Sequence, residues 1–238
     1  MDLRYVTITG ADDLTPIEEM VELSLDFPFV EWGILLGSEV KGRFPSKDWL
    51  NSFARVAETA FMNSALHLCG PWVKRLLAGE YIWTDISHNL LAAIDRVQIN
   101  MGGKPQVSNV KMIDAVRLGG IYETIVQGDG VNDHLAHALT GNGIRTSILY
   151  DLSGGRGIFP TSWPRPDSYL PCGYAGGISP DNMAQVLTDL GKVCKQPFWI
   201  DMESGVRTDN KLDLGKVRTV LTQAKEIKKI RSRSNDWS

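Results

Sequence analysis

Cysteine is scarce in this chain, three residues among 238, and Cys69, Cys172 and Cys194 include no C-x-x-C pair. That spacing leaves neither a disulfide framework nor a zinc ribbon, and it fits a reducing compartment, the cytoplasm by default. Long apolar runs are missing as well. No stretch reaches the ~18 residues of a membrane span, and the N-terminus shows no basic-then-apolar leader pattern, so a membrane partner is not expected. Positive charge is not concentrated either. With a formal net charge of −3 and basic residues clustered only in the tail, nucleic acid is not an expected partner, whereas a small phosphorylated ligand is. No GxGxxG follows the first strand-like run, which argues against an open dinucleotide-binding sheet. No lysine closes a strand-like run. Lys104, beyond the fourth, comes nearest, and this counts against a Schiff-base lyase.

What the chain does have is repetition. Apolar β-type runs at Arg4–Thr9, Val30–Leu36, Ala65–Cys69, Asp95–Asn100, Glu123–Gln127, Ser147–Tyr150, Gly173–Ala175 and Phe198–Asp201 are separated by breakers and by segments with helical spacing. Helices are expected over Pro16–Phe27, from an N-cap at Ser46 with Trp49, Leu50, Phe53 and Val56 inward, and over Trp72–Leu77, Asn132–Leu139, Asn182–Val193 and Leu214–Ile227. Eight strand-plus-helix units running one way close most simply into a (β/α)8 TIM barrel, an α/β fold with a parallel eight-stranded sheet. Residues 1–230 form one domain on this reading, and 231–238 a polar C-terminal tail.

Chemistry concentrates in the last third. In YDLSGGRGIFPTSW, residues 150–163, Asp151 stands at a strand end and a glycine-rich turn opens behind it, able to aim backbone N–H groups at an anion. AGGISPDNM at 175–183 and DMESGV at 201–206 likewise end strands in small residues or carboxylates. Ser179 is the expected helix cap, with Pro180 just inside. Three successive strand ends of this kind suit a phosphate held at the C-terminal face of a barrel.

These motifs resemble those of the phosphoribosylanthranilate isomerase family, whose ribulose-phosphate-binding barrel carries an aspartate, a GGTG loop and a tryptophan after its sixth strand. Residues 175–183 are similar to its seventh-strand phosphate motif and 201–206 to its eighth-strand motif. Fainter similarity lies in Gly33-Ile-Leu-Leu36 with Arg43, and in Val97-Gln98. The resemblance implies that Asp151 is a general acid, that Gly154, Gly155, Gly176, Gly177, Ser204 and Gly205 line a phosphate pocket, and that Arg43, Gln98 and Arg156 face the substrate. It departs at the first strand. The family has Lys-Ile-Cys-Gly there, its cysteine the general base, where this chain has Thr7-Ile8-Thr9-Gly10. A threonine hydroxyl is too weak an acid to exchange protons unaided near neutrality.

The catalytic set expected is therefore Asp151, Thr9, His67 and Asp201, with the base unassigned. Asp151 has a competing reading as a cap on its own turn, and His67 as a satisfied interior histidine. Glu31, Asp12, Asp13 and Asp129 are weaker substitutes for the base. Asp201 is expected in the pocket, with Glu203 turned to the other side against a helix. His134 and His137 have ligand spacing but no third partner, so no metal is expected. Trp32, Trp49, Trp72 and Trp199 read as packing, and Trp163 as a possible border of the ligand. The function expected is acid/base chemistry on a phosphorylated sugar or related small anion, an isomerase or lyase without cofactor, and not the family's own isomerisation, because of Thr9. The alternative is an inactive barrel that binds a phosphate ligand or serves as a scaffold. A homodimer is left open.

Overall fold

A computed structural model describes residues 2–37, 42–101, 109–118, 122–128 and 132–235. Eight strands run parallel in the order of the sequence and close on themselves: β1 (Leu3–Thr9), β2 (Val30–Leu36), β3 (Ser64–Leu68), β4 (Arg96–Ile99), β5 (Glu123–Gly128), β6 (Thr146–Tyr150), β7 (Cys172–Ala175) and β8 (Phe198–Met202). The closing seam pairs Thr7 of β1 with Asp201 of β8 and Ile8 with Met202. This is the expected (β/α)8 barrel.

Outside it lie α1 (Ile17–Asp26), α2 (Lys47–Thr59), α3 (Pro71–Leu77), α4 (His88–Ala92), α5 (Asn109–Leu118), α6 (Asp133–Gly141), α7 (Met183–Val193) and α8 (Leu214–Asn235). The side chain of Ser46 caps α2 by accepting from Trp49 N. Beneath it the buried stripe is Trp49, Leu50, Phe53, Ala54 and Ala57, with Val56 only half-buried at its edge. Two helices were not expected from the sequence, the five-residue α4 and the ten-residue α5. The unit after β6 has no helix at all: residues 151–171 are all described and run as one irregular loop. Prolines at 160, 164, 166 and 171 remove the N–H donors a helix would need. At the other end, α8 continues past Ile227 to Asn235, so most of the expected tail is helix. The loop glycines 102 and 103, Lys104, Asp129 and Gly130 lie outside the described residues.

Because side chains alternate along a strand, every second residue enters the barrel. In the interior, Ile125, Leu149 and Trp199 form an apolar cluster of their own. Trp199 packs inside the barrel, and Gly173 makes room for it: a side-chain carbon there would stand 2.1 Å from the indole. Beside it Glu31 and Arg96 form a fully buried pair at 2.6 and 2.7 Å. Thr7 adds its hydroxyl to Glu31 at 2.7 Å, and Arg96 stacks 4.5 Å from the Trp199 ring. Burial alone would strip the guanidinium of its proton more easily, and the Glu31 carboxylate more than offsets this.

Candidate functional site

The upper layer of the interior opens into a cavity of about 730 Å³ at the strand C-terminal face. Thr9, His67, Gln98, Gln127, Asp151 and Asp201 line its floor. All six are buried polar residues. On one side stand the loops after β6, β7 and β8, with Gly154, Gly155, Arg156, Gly176, Gly177 and Ser204. Facing them across the barrel, Arg43, Cys69 and Asn100 come from β2, β3 and β4. The cavity thus gathers every expected site residue except Gly205.

Glycine is required where these three loops meet. A side-chain carbon at Gly176 would lie 2.8 Å from Ile158 O, one at Gly177 2.6 Å from Phe159 N, and one at Gly157 2.5 Å from Ser204 Oγ. Gly176, Gly177 and Gly157 all have φ in the left-handed region, which side-chain-bearing residues avoid. Gly205 serves the same convergence from behind. Its carbon would stand 2.0 Å from Ile178 O, so it seats the β8 loop on the β7 loop instead of lining the cavity. Nor does Ser179 cap α7; the cap is Asn182, whose side chain accepts from Ser179 N at 2.9 Å and donates to Gly177 O at 2.8 Å. The carboxamide fixes the turn that carries Gly177.

Asp201 is the most perturbed acid of the site. Thr9 Oγ1 donates to its Oδ1 at 2.8 Å. Burial pushes its pKa up to about 7, the Thr9 hydrogen bond opposes this, and the charges of Glu203, Glu31 and Asp151 add to it. Glu203 does enter the cavity, contrary to expectation, because residues two apart share one face of a strand. There both of its oxygens accept from Arg43 Nη1 at 2.8 Å. Asp151 is fully engaged: Oδ1 accepts from Ser153 N and Oγ at 3.1 and 2.7 Å, and Oδ2 from Gln127 Nε2 and Gly155 N at 3.0 and 2.5 Å. This is the geometry of a carboxylate holding its own turn. Arg156, at the exposed tip, donates from Nε to Ser153 O at 2.7 Å.

His67 is buried, and burial, with the charge of Arg96 behind it, lowers its pKa to about 3. It is therefore a neutral imidazole at any ordinary pH. Its Nδ1 lies 3.4 Å from Gln98 Nε2, and its Nε2 has no partner among the described residues. Gln98 Nε2 also donates to Asn100 Oδ1 at 2.8 Å, and Asn100 Nδ2 to Cys69 Sγ at 3.2 Å. Cys69, read from sequence as one more buried thiol, is half-buried on the cavity wall, and burial raises its pKa. Cys172 and Cys194 are the buried ones.

Three of the four substitutes for the missing base fall away. Glu31 is held by Arg96, Asp12 by Leu14 N and Arg207, and Asp13 by Ser46 at the α2 cap; none of the three lines the cavity, and Asp129 is outside the described residues. Trp163 packs edge-on against Phe159 and Tyr174, away from the cavity. His137 pairs with Asp167 at 2.9 Å. Gln127, Asn100, Glu203 and Arg207, all on the cavity wall, were not expected there. The first two carried one available signal, a polar side chain at or next to a strand end.

The N-(5'-phosphoribosyl)anthranilate isomerase family model matches residues 161–223, which take in β7, α7, β8 and the start of α8. N-(5'-phosphoribosyl)anthranilate isomerase from Pyrococcus furiosus superposes with a TM-score of 0.50 over 93% of this chain and 98% of its own, at 16% identity. Over residues 161–223, and in the fold of the whole barrel, the chain is similar to phosphoribosylanthranilate isomerases. A truncated 3-deoxy-D-arabino-heptulosonate 7-phosphate synthase from Thermotoga maritima shares the fold with a TM-score of 0.60, at 11% identity over 94% of this chain and 86% of that one. At such identities what is held in common is the fold. Asp151 and the Gly154–Gly157 turn fall outside the matched stretch, so their roles rest on geometry alone. Among the described residues no helix is long and apolar enough to cross a membrane.

Proposed function

We propose that this barrel is an enzyme that moves a proton on a small phosphorylated substrate, an isomerase in the broad sense, working in a reducing compartment. The observation that carries the reading is the placement of the buried Thr9–Asp201 pair in the same cavity as the convergent glycine loops. Loop backbones without side chains offer N–H groups at the strand C-terminal face, the usual seat of a phosphate on this fold. Held there, a substrate presents its carbon skeleton to Asp201, whose pKa of about 7 lets it take and return a proton near neutrality. Asp201, not Asp151, is thus the acid/base group proposed.

The family's own isomerisation is not the reaction proposed. Thr9 stands where that family has its basic cysteine, and here the hydroxyl serves Asp201 as a donor. Incubation of the protein in D2O with a panel of sugar phosphates, followed by proton NMR, should reveal deuterium entering at a carbon next to a carbonyl. Asp201→Asn should abolish that exchange and keep phosphate affinity. Restored growth of a tryptophan auxotroph lacking the isomerase would overturn the exclusion.

A second reading, a binding protein without chemistry, is favoured by one pair of facts: Asp151 has both oxygens committed to its turn, and Arg43 is committed to Glu203. It predicts phosphate binding with no exchange from any substrate.

A further inference from the structure

Two buried polar atoms on the cavity floor have no partner among the described residues, His67 Nε2 and Gln98 Oε1. Unsatisfied groups at such depth are destabilising by roughly 1–3 kcal/mol each, a cost that a ligand pairing with them removes. Their roles follow from the network behind them. Gln98 Nε2 faces both Asn100 Oδ1 and His67 Nδ1, so Nδ1 is the accepting nitrogen of this neutral ring and the proton sits on Nε2. One orphan is a donor and the other an acceptor.

Gly33 brings this pair to the reacting carboxylate. A side-chain carbon there would stand 2.3 Å from Thr9 Oγ1 and 3.0 Å from His67 Nε2. With glycine at that register position the hydroxyl that serves Asp201 and the orphan Nε2 flank the same spot on the floor. The His67–Gln98 contact, at 3.4 Å, is at the long end of a hydrogen bond, which leaves the imidazole free to turn toward a ligand; hydrogen bonds in empty sites commonly tighten only when substrate arrives.

Resting on the phosphate-and-proton reading above, we infer that the floor over Gly33 is a subsite for an α-hydroxy carbonyl: His67 Nε2–H donates to the carbonyl oxygen, Gln98 Oε1 accepts from the neighbouring hydroxyl, and the substrate class is a ketose or aldose phosphate. The step balances without a co-reactant. Asp201 takes the proton from the carbon bearing the hydroxyl, and the C–H electron pair becomes the C=C bond of an enediol. The carbonyl π pair settles on the oxygen that faces His67, and the hydroxyl proton passes to that oxygen. Asp201 returns its proton to the former carbonyl carbon. His67 is then a catalytic electrophile and never a base, a role its neutrality suits.

The test compares three probes by calorimetry: inorganic phosphate, ribulose 5-phosphate, and ribitol 5-phosphate, which keeps the phosphate and hydroxyls but lacks the carbonyl. Wild type should bind the ketose at least tenfold more tightly than the alditol. In His67→Leu that preference should vanish, with inorganic phosphate bound as before, and deuterium exchange should fall at least 100-fold. His67→Gln, which keeps an N–H donor, should retain much of the preference. Nitrogen-15 NMR of the free protein should show Nε2 protonated and Nδ1 bare. Equal binding of ketose and alditol by wild type, or the opposite tautomer, overturns the carbonyl subsite while leaving the phosphate reading intact. Failure of wild type to bind inorganic phosphate overturns both.

Discussion

Thr9 donates its hydroxyl to Asp201 at 2.8 Å across the seam where β1 meets β8 and the barrel closes. The acid it supports is buried, with a pKa raised from 3.8 to about 7. Between those two values the folded protein keeps a proton that the unfolded chain releases, so this group makes stability fall as pH rises from 3.8 to about 7 and adds no further change above. Asp201→Asn removes that penalty. Its advantage over wild type should therefore grow across that window and level off above pH 7, at about 1–4 kcal/mol, while exchange activity is lost. Urea denaturation at a series of pH values measures the difference, and a variant less stable than wild type at pH 8 would contradict the burial argument.

Loss of the threonine hydroxyl should act in the opposite sense on the acid itself. The Thr9 hydrogen bond lowers the Asp201 pKa, so Thr9→Val should raise it by about one pH unit, the equivalent of one hydrogen bond. A carbon-13 titration of labelled aspartate carboxyls reports the value directly. If the protein turns over a substrate, the acidic limb of its rate profile should move up with it.

The barrel was legible because eight apolar runs recur with breakers between them, and the mouth because glycines mark the strand ends after β6, β7 and β8. Partnering was not legible. The reading of Asp151 as a cap on its own turn anticipates Ser153 and Gly155, but nothing in the sequence announces that Gln127 would take a share of the same carboxylate, or that Arg43 would reach across the cavity to Glu203, 160 residues away. Gly205 carries the same lesson. Its motif marks it as part of the phosphate loop, yet only the approach of Ile178 O shows that its task is to let two loops touch.

Gly205→Ala should accordingly weaken phosphate binding without contacting phosphate. The new methyl group meets backbone at 2.0 Å, so the β8 loop must lift from the β7 loop. Overpacking of this kind is destabilising by about 1–3 kcal/mol. Gly154→Ala meets nothing within 4 Å but stands at a φ of 62°, so its effect should be confined to the strain of one left-handed residue, about 1 kcal/mol. Calorimetric phosphate titration and thermal melts of both variants check the contrast, which reverses if Gly205 is an ordinary lining residue.

Beneath the cavity, the Glu31–Arg96 pair sets up a double-mutant experiment. The two charges are buried within the barrel, Glu31 1% and Arg96 5% exposed, and a desolvated pair of this sort is weak evidence of net stabilisation, although removing one partner strands the other. Glu31→Leu alone should lower stability by about 3–5 kcal/mol, the larger because Glu123, the second carboxylate on Arg96, holds it less closely at 3.4 Å and is shared with Arg145. Glu31→Leu combined with Arg96→Met should recover most of that loss. Denaturant unfolding of the two single variants and the double variant gives the coupling. Additive losses would mean that the guanidinium is held by Glu123 and by its stack on Trp199 at 4.5 Å rather than by Glu31.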